Sequence, residues 1–374
     1  MVSPIFLPKR DGTTRLIKNL ADGLTQKNHK VTVITRTMSG SNTFEYLEGI
    51  RVFRVSPRGG SLFDRLKFIA NSSILIVRLA LRGDYDVIHA FGISAVFSSV
   101  LGNFSLKKIV TTLPGLQQEI LAGRDEERLL KRNMSRIALK LLAYFTVAIT
   151  APTNAASTEI KRDIGKVLAN RVSVVFNPLR TDLFSVRAEL NSAGEFFPEI
   201  LSVGNLSYRK GFDILIRALA TLVVAFPRIR LTIVGKGPRK LELLALASSL
   251  NVENHVRLLD FIEDRDLART YESCDIFVSP SRAGGEAFGY VLAEAMATGK
   301  PVISTLTPGP AELIQMSSAG LLVEPENVVQ LTKAIQSLAR DSQLRQKFGE
   351  KGLRFVHEKL GVQQVVARFE EIYR

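Results

Sequence analysis

This sequence predicts an α/β protein of two doubly wound, Rossmann-like domains, and three observations support that prediction. The chain has 374 residues, too many for one ordinary core and enough for two. It is 46% hydrophobic and 23% charged with ordinary glycine and proline contents, the profile of a folded globular chain. Short β-branched runs alternate with helix-length amphipathic stretches throughout, as in parallel sheets joined by crossover helices.

Taken in order, the first half opens on Val2-Ser3-Pro4-Ile5-Phe6-Leu7-Pro8, which reads as the end of a buried first strand and its exit loop. With almost nothing before it, the chain is expected to begin late. Further strands are expected at 31–35, 51–55, 86–90, 109–113, 146–151 and 172–176. The second half repeats the pattern at 200–204, 231–235, 256–261, 276–279, 301–305 and 320–323. Between the halves, 181–198 has no clear strand and carries Gly and Pro near its end, which marks a linker. The expected domains are 1–188 and 189–355, facing across a cleft, with 356–374 as a helix returning to the first.

Composition excludes several classes. Cys274 is the sole cysteine, so no intrachain disulfide forms, and a reducing cytoplasmic compartment is the expectation. No run of about 18 uncharged apolar residues exists to span a membrane. The opening residues lack the basic start and long apolar run of a secretory signal. Residues 1–190 hold 28 Lys and Arg against 15 Asp and Glu, and residues 191–374 hold 22 against 21, so the net charge of +14 belongs to the first half. Such asymmetry points to an anionic partner.

The strongest chemical signal is the stretch 280–302, where a strand ends, a Gly-rich loop turns and a helix begins. Loop amides and a helix N-terminus at that place favour phosphate or sugar. Gly299 is expected to end the helix after about three turns. Glu286 and Glu294 differ by about 80° around a helix, so they are not a paired dyad. Glu286 is expected in the loop near the reacting group, and Glu294 deeper, where it accepts hydrogen bonds from vicinal hydroxyls such as those of a ribose. A second strand, loop and helix occurs at 201–212, where Arg209 and Lys210 bring the positive charge a departing diphosphate requires.

With these residues in place, the chain resembles the retaining glycosyltransferase family 4, of the GT-B fold. The resemblance rests on a P-S-x-x-x-x-E-x-F-G-x-x-x-x-E-A-M-A-x-G-x-P-V frame preceded by V-G-x-L-x-x-x-K-G. Val234-Gly235-Lys236-Gly237-Pro238 and Pro308-Gly309-Pro310-Ala311-Glu312-Leu313-Ile314 match its order and spacing. It implies a nucleotide sugar held mainly by the second domain, no divalent metal, no cofactor beyond the donor substrate, and transfer with retention. Lys210 would contact the diphosphate, Glu286 the donor sugar, the amides of Phe288 and Gly289 the sugar or phosphate, and Glu294 the ribose. The catalytic assignment is Glu286, Lys210 and Arg209. Donor binding is assigned to Gly12, Gly204, Asn205, Phe261, Phe288, Gly289, Tyr290, Val291 and Glu294.

Some positions depart from the family. Asn205 stands where an Arg commonly assists Lys210, and Phe91 and Pro114 stand where His is frequent. The usual double-glycine loop is reduced to Asp11-Gly12-Thr13-Thr14, which leaves Gly12 as its diphosphate contact. Asp84-x-Asp86 and Asp264-x-Asp266 read as caps rather than metal ligands, and His29, His255 and His357 lack metal-ligand spacing. Gly235-x-Gly237 lacks the third glycine of a dinucleotide fingerprint.

In the basic half, 63–81 and 124–144 combine Arg and Lys with Leu, Ile and Phe at helical spacing, the pattern either of helices resting on an anionic membrane or of plain domain helices whose apolar face is core. The expected protein is a hexosyltransferase-type enzyme, peripheral on the inner face of the cytoplasmic membrane, with a glycan or lipid-linked acceptor. Nucleic acid is not an expected partner, since no aromatic platform interleaves the charges. Two alternatives share the donor pocket: a GT-B phosphorylase or epimerase, and an inactive sugar-nucleotide-binding accessory subunit.

Overall fold

The computed structural model describes residues 1–9, 11–38, 40–57, 61–113, 136–141, 143–184, 198–260, 262, 264–282 and 286–374. The chain forms two compact units, residues 1–178 with 362–374, and residues 179–361. The changeover falls at Pro178 and Leu179, ahead of the expected position near 188, because Leu179 already donates its amide to the Leu360 carbonyl at 2.7 Å.

In the first unit the strands are β1 (Thr32–Thr37), β2 (Phe44–Leu47), β3 (Ile50–Pro57), β4 (Val87–Phe91), β5 (Lys108–Thr112), β6 (Ala148–Ala151) and β7 (Val172–Val174). β4 to β7 run parallel in sequence order, and β1 lies parallel to β3. Val2 joins the two groups, bridging Ile34 on β1 and Ala90 on β4. It is buried, as are Ile34, Ile88 and Ile109 of the same core. The parallel order is therefore β3, β1, the Val2 segment, then β4 onward, which is the Rossmann order.

β2 has no counterpart in the sequence reading. It pairs antiparallel with β3 across a tight turn at Glu48 and Gly49, both at positive φ. Its text, Phe-Glu-Tyr-Leu, contains no β-branched residue, so the signal used for the other strands was missing. Among the described residues the helices include α1 (Gly12–Gln26), α2 (Leu62–Leu81), α3 (Ile93–Gly102) and α4 (Asn154–Ile164). The C-terminal helix Val362–Tyr373 belongs to this unit and lies against α1 at Gly23, where a Cβ would come within 2.3 Å of Val362. Glu370 of that helix binds Lys27 at 2.6 Å and His29 at 2.8 Å.

The second unit has one parallel sheet of β8 (Glu199–Val203), β9 (Arg230–Val234), β10 (Val256–Leu259), β11 (Ile276–Ser279), β12 (Val302–Thr305) and β13 (Gly320–Val323). Its order is β10-β9-β8-β11-β12-β13. From β8 the chain winds outward one way through β9 and β10, then returns to β11 and winds the other way. The loops leaving β8 and β11 thus flank the switch point, where open α/β sheets collect ligands.

Around the sheet run α5 (Phe212–Ala225), α6 (Lys240–Ser249), α7 (Asp264–Ser273), α8 (Tyr290–Ala297), α9 (Pro308–Ser317), α10 (Val328–Arg340) and α11 (Ser342–Phe355). Leu215, Leu219 and Leu222 of α5 form its core with Ile233, Ile276, Ile303 and Leu338. Such side chains contribute about 1.5–3 kcal/mol each on burial, which makes β8 and β11 firm supports for the loops at their ends. α8 is shorter than the sequence suggests, eight residues instead of three turns, because Gly289 at φ 98° sets its start just before Tyr290.

Candidate active site

The loop leaving β8 is built by close backbone approach. Gly204 donates its amide to Val234, and Leu206 donates to Lys236, both at 3.0 Å. A Cβ on Gly235 would lie 1.9 Å from the Gly204 carbonyl oxygen, and one on Gly237 would lie 2.4 Å from that of Leu206. These two glycines therefore let the β9 exit seat the β8 loop. A 3-10 turn at Tyr208–Lys210 follows and ends at Gly211, which is left-handed at φ 65°. A Cβ there would meet the Pro280 carbonyl oxygen at 2.0 Å. So the β8 loop touches the chain leaving β11.

That contact brings the two predicted residues together. Lys210 Nζ donates to both Glu286 oxygens at 3.0 Å, and Ser281 Oγ donates to Glu286 Oε2 at 3.1 Å. Both partners are largely buried, with side chains 11% and 13% exposed. Burial alone would raise the Glu286 carboxyl. The charge and hydrogen bond of Lys210, the Ser281 hydroxyl and the charge of Arg209 together outweigh it, so the group lies below its ordinary value. Arg209 is exposed, and its charge thus acts at the pair even though Asn205, also exposed, carries none.

The other assigned residues fall into place unevenly. Phe288 and Tyr290 are buried and meet edge to face at 5.1 Å, so their side chains serve packing. Tyr290 and Val291 form the first turn of α8, the positive end of a helix dipole. Glu294 is buried in α8, and its Oε2 accepts from the Tyr271 hydroxyl at 2.8 Å. Phe261 lies outside the described residues, as do Gly284, Gly285, Pro114 and most of 124–144. Gly12 is not in a free loop: it opens α1 in the first unit, whose N-terminus is capped by Asp11 accepting from the Thr14 amide at 2.9 Å.

Sequence reasoning missed four residues. Tyr271 sits on α7, 23 positions before Glu294, with no motif of its own. Ser281 was read only as part of a frame. Arg282 binds Asp213 through two hydrogen bonds of 2.9 and 2.6 Å. The aspartate comes from α5 and carries no spacing signal. Phe91 is a core residue, buried and stacked on His89 at 4.2 Å.

Comparison with known proteins fits this geometry. Residues 189–355 match the family profile Glycosyl transferases group 1, and residues 10–183 match Glycosyltransferase Family 4. A phosphatidyl-myo-inositol mannosyltransferase of Mycobacterium leprae is 24% identical over 93% of this chain and 89% of its own. Among solved structures, sucrose-phosphate synthase from Thermosynechococcus elongatus superposes with a TM-score of 0.80 at 23% identity, covering 97% of this chain and 93% of that one. HepE of Anabaena, in complex with UDP and glucose, gives 0.75 at 21% identity, covering 99% and 97%. These likenesses establish the GT-B fold.

Proposed function

The chain belongs to the glycosyl transferases of group 1 and family 4, and from that premise we propose that it moves a sugar from a nucleotide-diphosphate donor to a hydroxyl, with retention and without a divalent metal. The buried Lys210–Glu286 pair carries the proposal. Breaking the bond between an anomeric carbon and a phosphate oxygen builds negative charge on the diphosphate. Lys210 is placed to receive that charge, Arg209 adds to it, and the α8 N-terminus favours the same anion. These groups supply the electrostatic help that a metal gives in other sugar transfers.

Glu286, kept ionised by its neighbours, takes the donor sugar, with a carboxylate that stabilises positive character on the ring as the leaving group departs. Glu294, steadied by Tyr271, takes the ribose. Return of the acceptor to the face just vacated by the diphosphate accounts for retention. HepE, solved with UDP and glucose, supports a uridine donor. The mycobacterial relative, whose name specifies a phosphatidylinositol acceptor, supports a lipid-linked or glycan acceptor beside an anionic membrane.

The test is a screen of UDP- and GDP-sugars by thermal shift, followed by turnover with lipid and glycan acceptors and NMR assignment of the new anomeric centre. A true donor at about 100 times its Kd stabilises the fold by about 2.7 kcal/mol. An inverted product, or activity that chelators abolish and metal restores, would sink the mechanism.

A further inference from the structure

We propose that Arg282 is a positioning residue, a strap that holds Lys210 and Glu286 in register; this rests on the donor-site reading above. Arg282 follows β11 and is buried. Its own amide donates to the Arg209 carbonyl at 2.8 Å. Its Nη1 donates to the Tyr208 carbonyl at 2.6 Å and to Asp213 Oδ1 at 2.9 Å, and its Nη2 donates to Asp213 Oδ2 at 2.6 Å. Its Nε donates to Glu326 at 2.6 Å. The guanidinium carbon stands 3.8 Å over the Tyr208 ring. Arg239, from the start of α6, reaches the same Asp213 carboxylate at 3.0 Å and the same ring at 5.2 Å.

The two carbonyls that Arg282 grips directly precede Lys210, and Arg282 itself stands four residues before Glu286. One residue therefore ties down both chain segments whose side chains form the pair. A lysine on a flexible stem needs such support, because misplacing a reacting group by about 1 Å costs on the order of 100-fold in rate. Only a planar fork can serve the carboxylate and the carbonyl together, which a lysine in its place could not.

The strap is tested by the reactivity of Lys210 itself. Timed acetylation of the full-length protein, read by peptide mass spectrometry, reports how often Lys210 leaves Glu286. In Arg282→Gln and in the isosteric Asp213→Asn, Lys210 is expected to react about tenfold faster than in the wild type through local opening of the loop. Lys333 and Lys347, exposed on the same unit, serve as internal standards and should keep their rates. An unchanged Lys210 rate, or an equal rise at all three lysines, overturns the proposal; where Arg282→Gln fails to fold, Asp213→Asn decides. Protection of wild-type Lys210 by UDP, GDP or ADP is scored separately. Its absence counts against the donor reading, while the strap is still judged by the rates of the unliganded variants.

Discussion

Glu286 shows how one side chain's surroundings set its chemistry. Desolvation pushes its carboxyl up, yet Lys210, Ser281 and Arg209 together hold it below the ordinary value of 4.5. A carboxyl depressed in the fold contributes stability that is present above its unfolded value and is lost as pH falls through its folded value. The wild type should therefore be more stable than Glu286→Gln at pH 7, with the gap narrowing as pH falls below the ordinary carboxyl value and through the lowered folded one. Denaturant titrations of both proteins from pH 7 to pH 3 measure this, and a gap that survives unchanged at pH 3 contradicts it. In catalysis, Glu286→Gln and Lys210→Met should each lower kcat/KM by on the order of 100-fold or more, since each removes a charge aimed at the transition state. Lys210→Met should also weaken nucleotide binding. Equal nucleotide affinity in that variant would remove Lys210 from the diphosphate site.

At the scale of elements, the loops after β8 and β11 carry the proposed site because the sheet order brings them side by side. Gly211 is where they touch, with left-handed φ and the Pro280 carbonyl where a Cβ would go. Gly211→Ala must both strain the backbone and push the loops apart, so it should destabilise the second unit by about 1–3 kcal/mol or more. Asn251, exposed and already at φ 56° in the same unit, offers a control, because Asn251→Gly keeps a left-handed conformation that glycine adopts freely and should be near neutral. Thermal melts of the two variants check the contrast. The strands that carry these loops were legible in the sequence because their β-branched runs are buried on both faces. The partnership of Lys210 with Glu286 was legible only through motif resemblance, since 76 residues separate them and no local spacing encodes a switch point. Arg282, Asp213 and Tyr271 were not legible at all: their roles depend on side chains converging from three helices and a strand end. Gly12 was read from the reduced double-glycine loop of the family, and what the sequence did not show is that it opens α1 directly behind the Asp11 cap.

For the whole molecule, charge and exposed apolar surface coincide on the first unit. That unit holds 28 Lys and Arg against 15 Asp and Glu, the second 22 against 21. Its α2 packs Phe68, Ile76 and Leu79 inward but leaves Phe63, Leu66, Ile74 and Leu81 exposed, Leu81 by 84%. At 100° per residue these four lie within about 80° of one another around the helix, and Lys67 and Arg78 border them. Among the described residues no helix is long and apolar enough to cross a membrane, so a surface contact is the form such a face would take. Each basic residue near an anionic leaflet contributes about 1 kcal/mol, and salt screens the attraction within about a Debye length. The protein should therefore sediment with vesicles of phosphatidylglycerol and phosphatidylcholine, release as salt rises from 0.05 to about 0.5 M, and ignore pure phosphatidylcholine. The double variant Lys67→Glu, Arg78→Glu should lose on the order of tenfold or more in vesicle affinity while keeping its nucleotide affinity, because both positions lie on α2 and the pair proposed to hold the donor, Lys210 and Glu286, lies on the second unit. Equal binding to neutral and anionic vesicles would leave the charge asymmetry as a property of solubility alone.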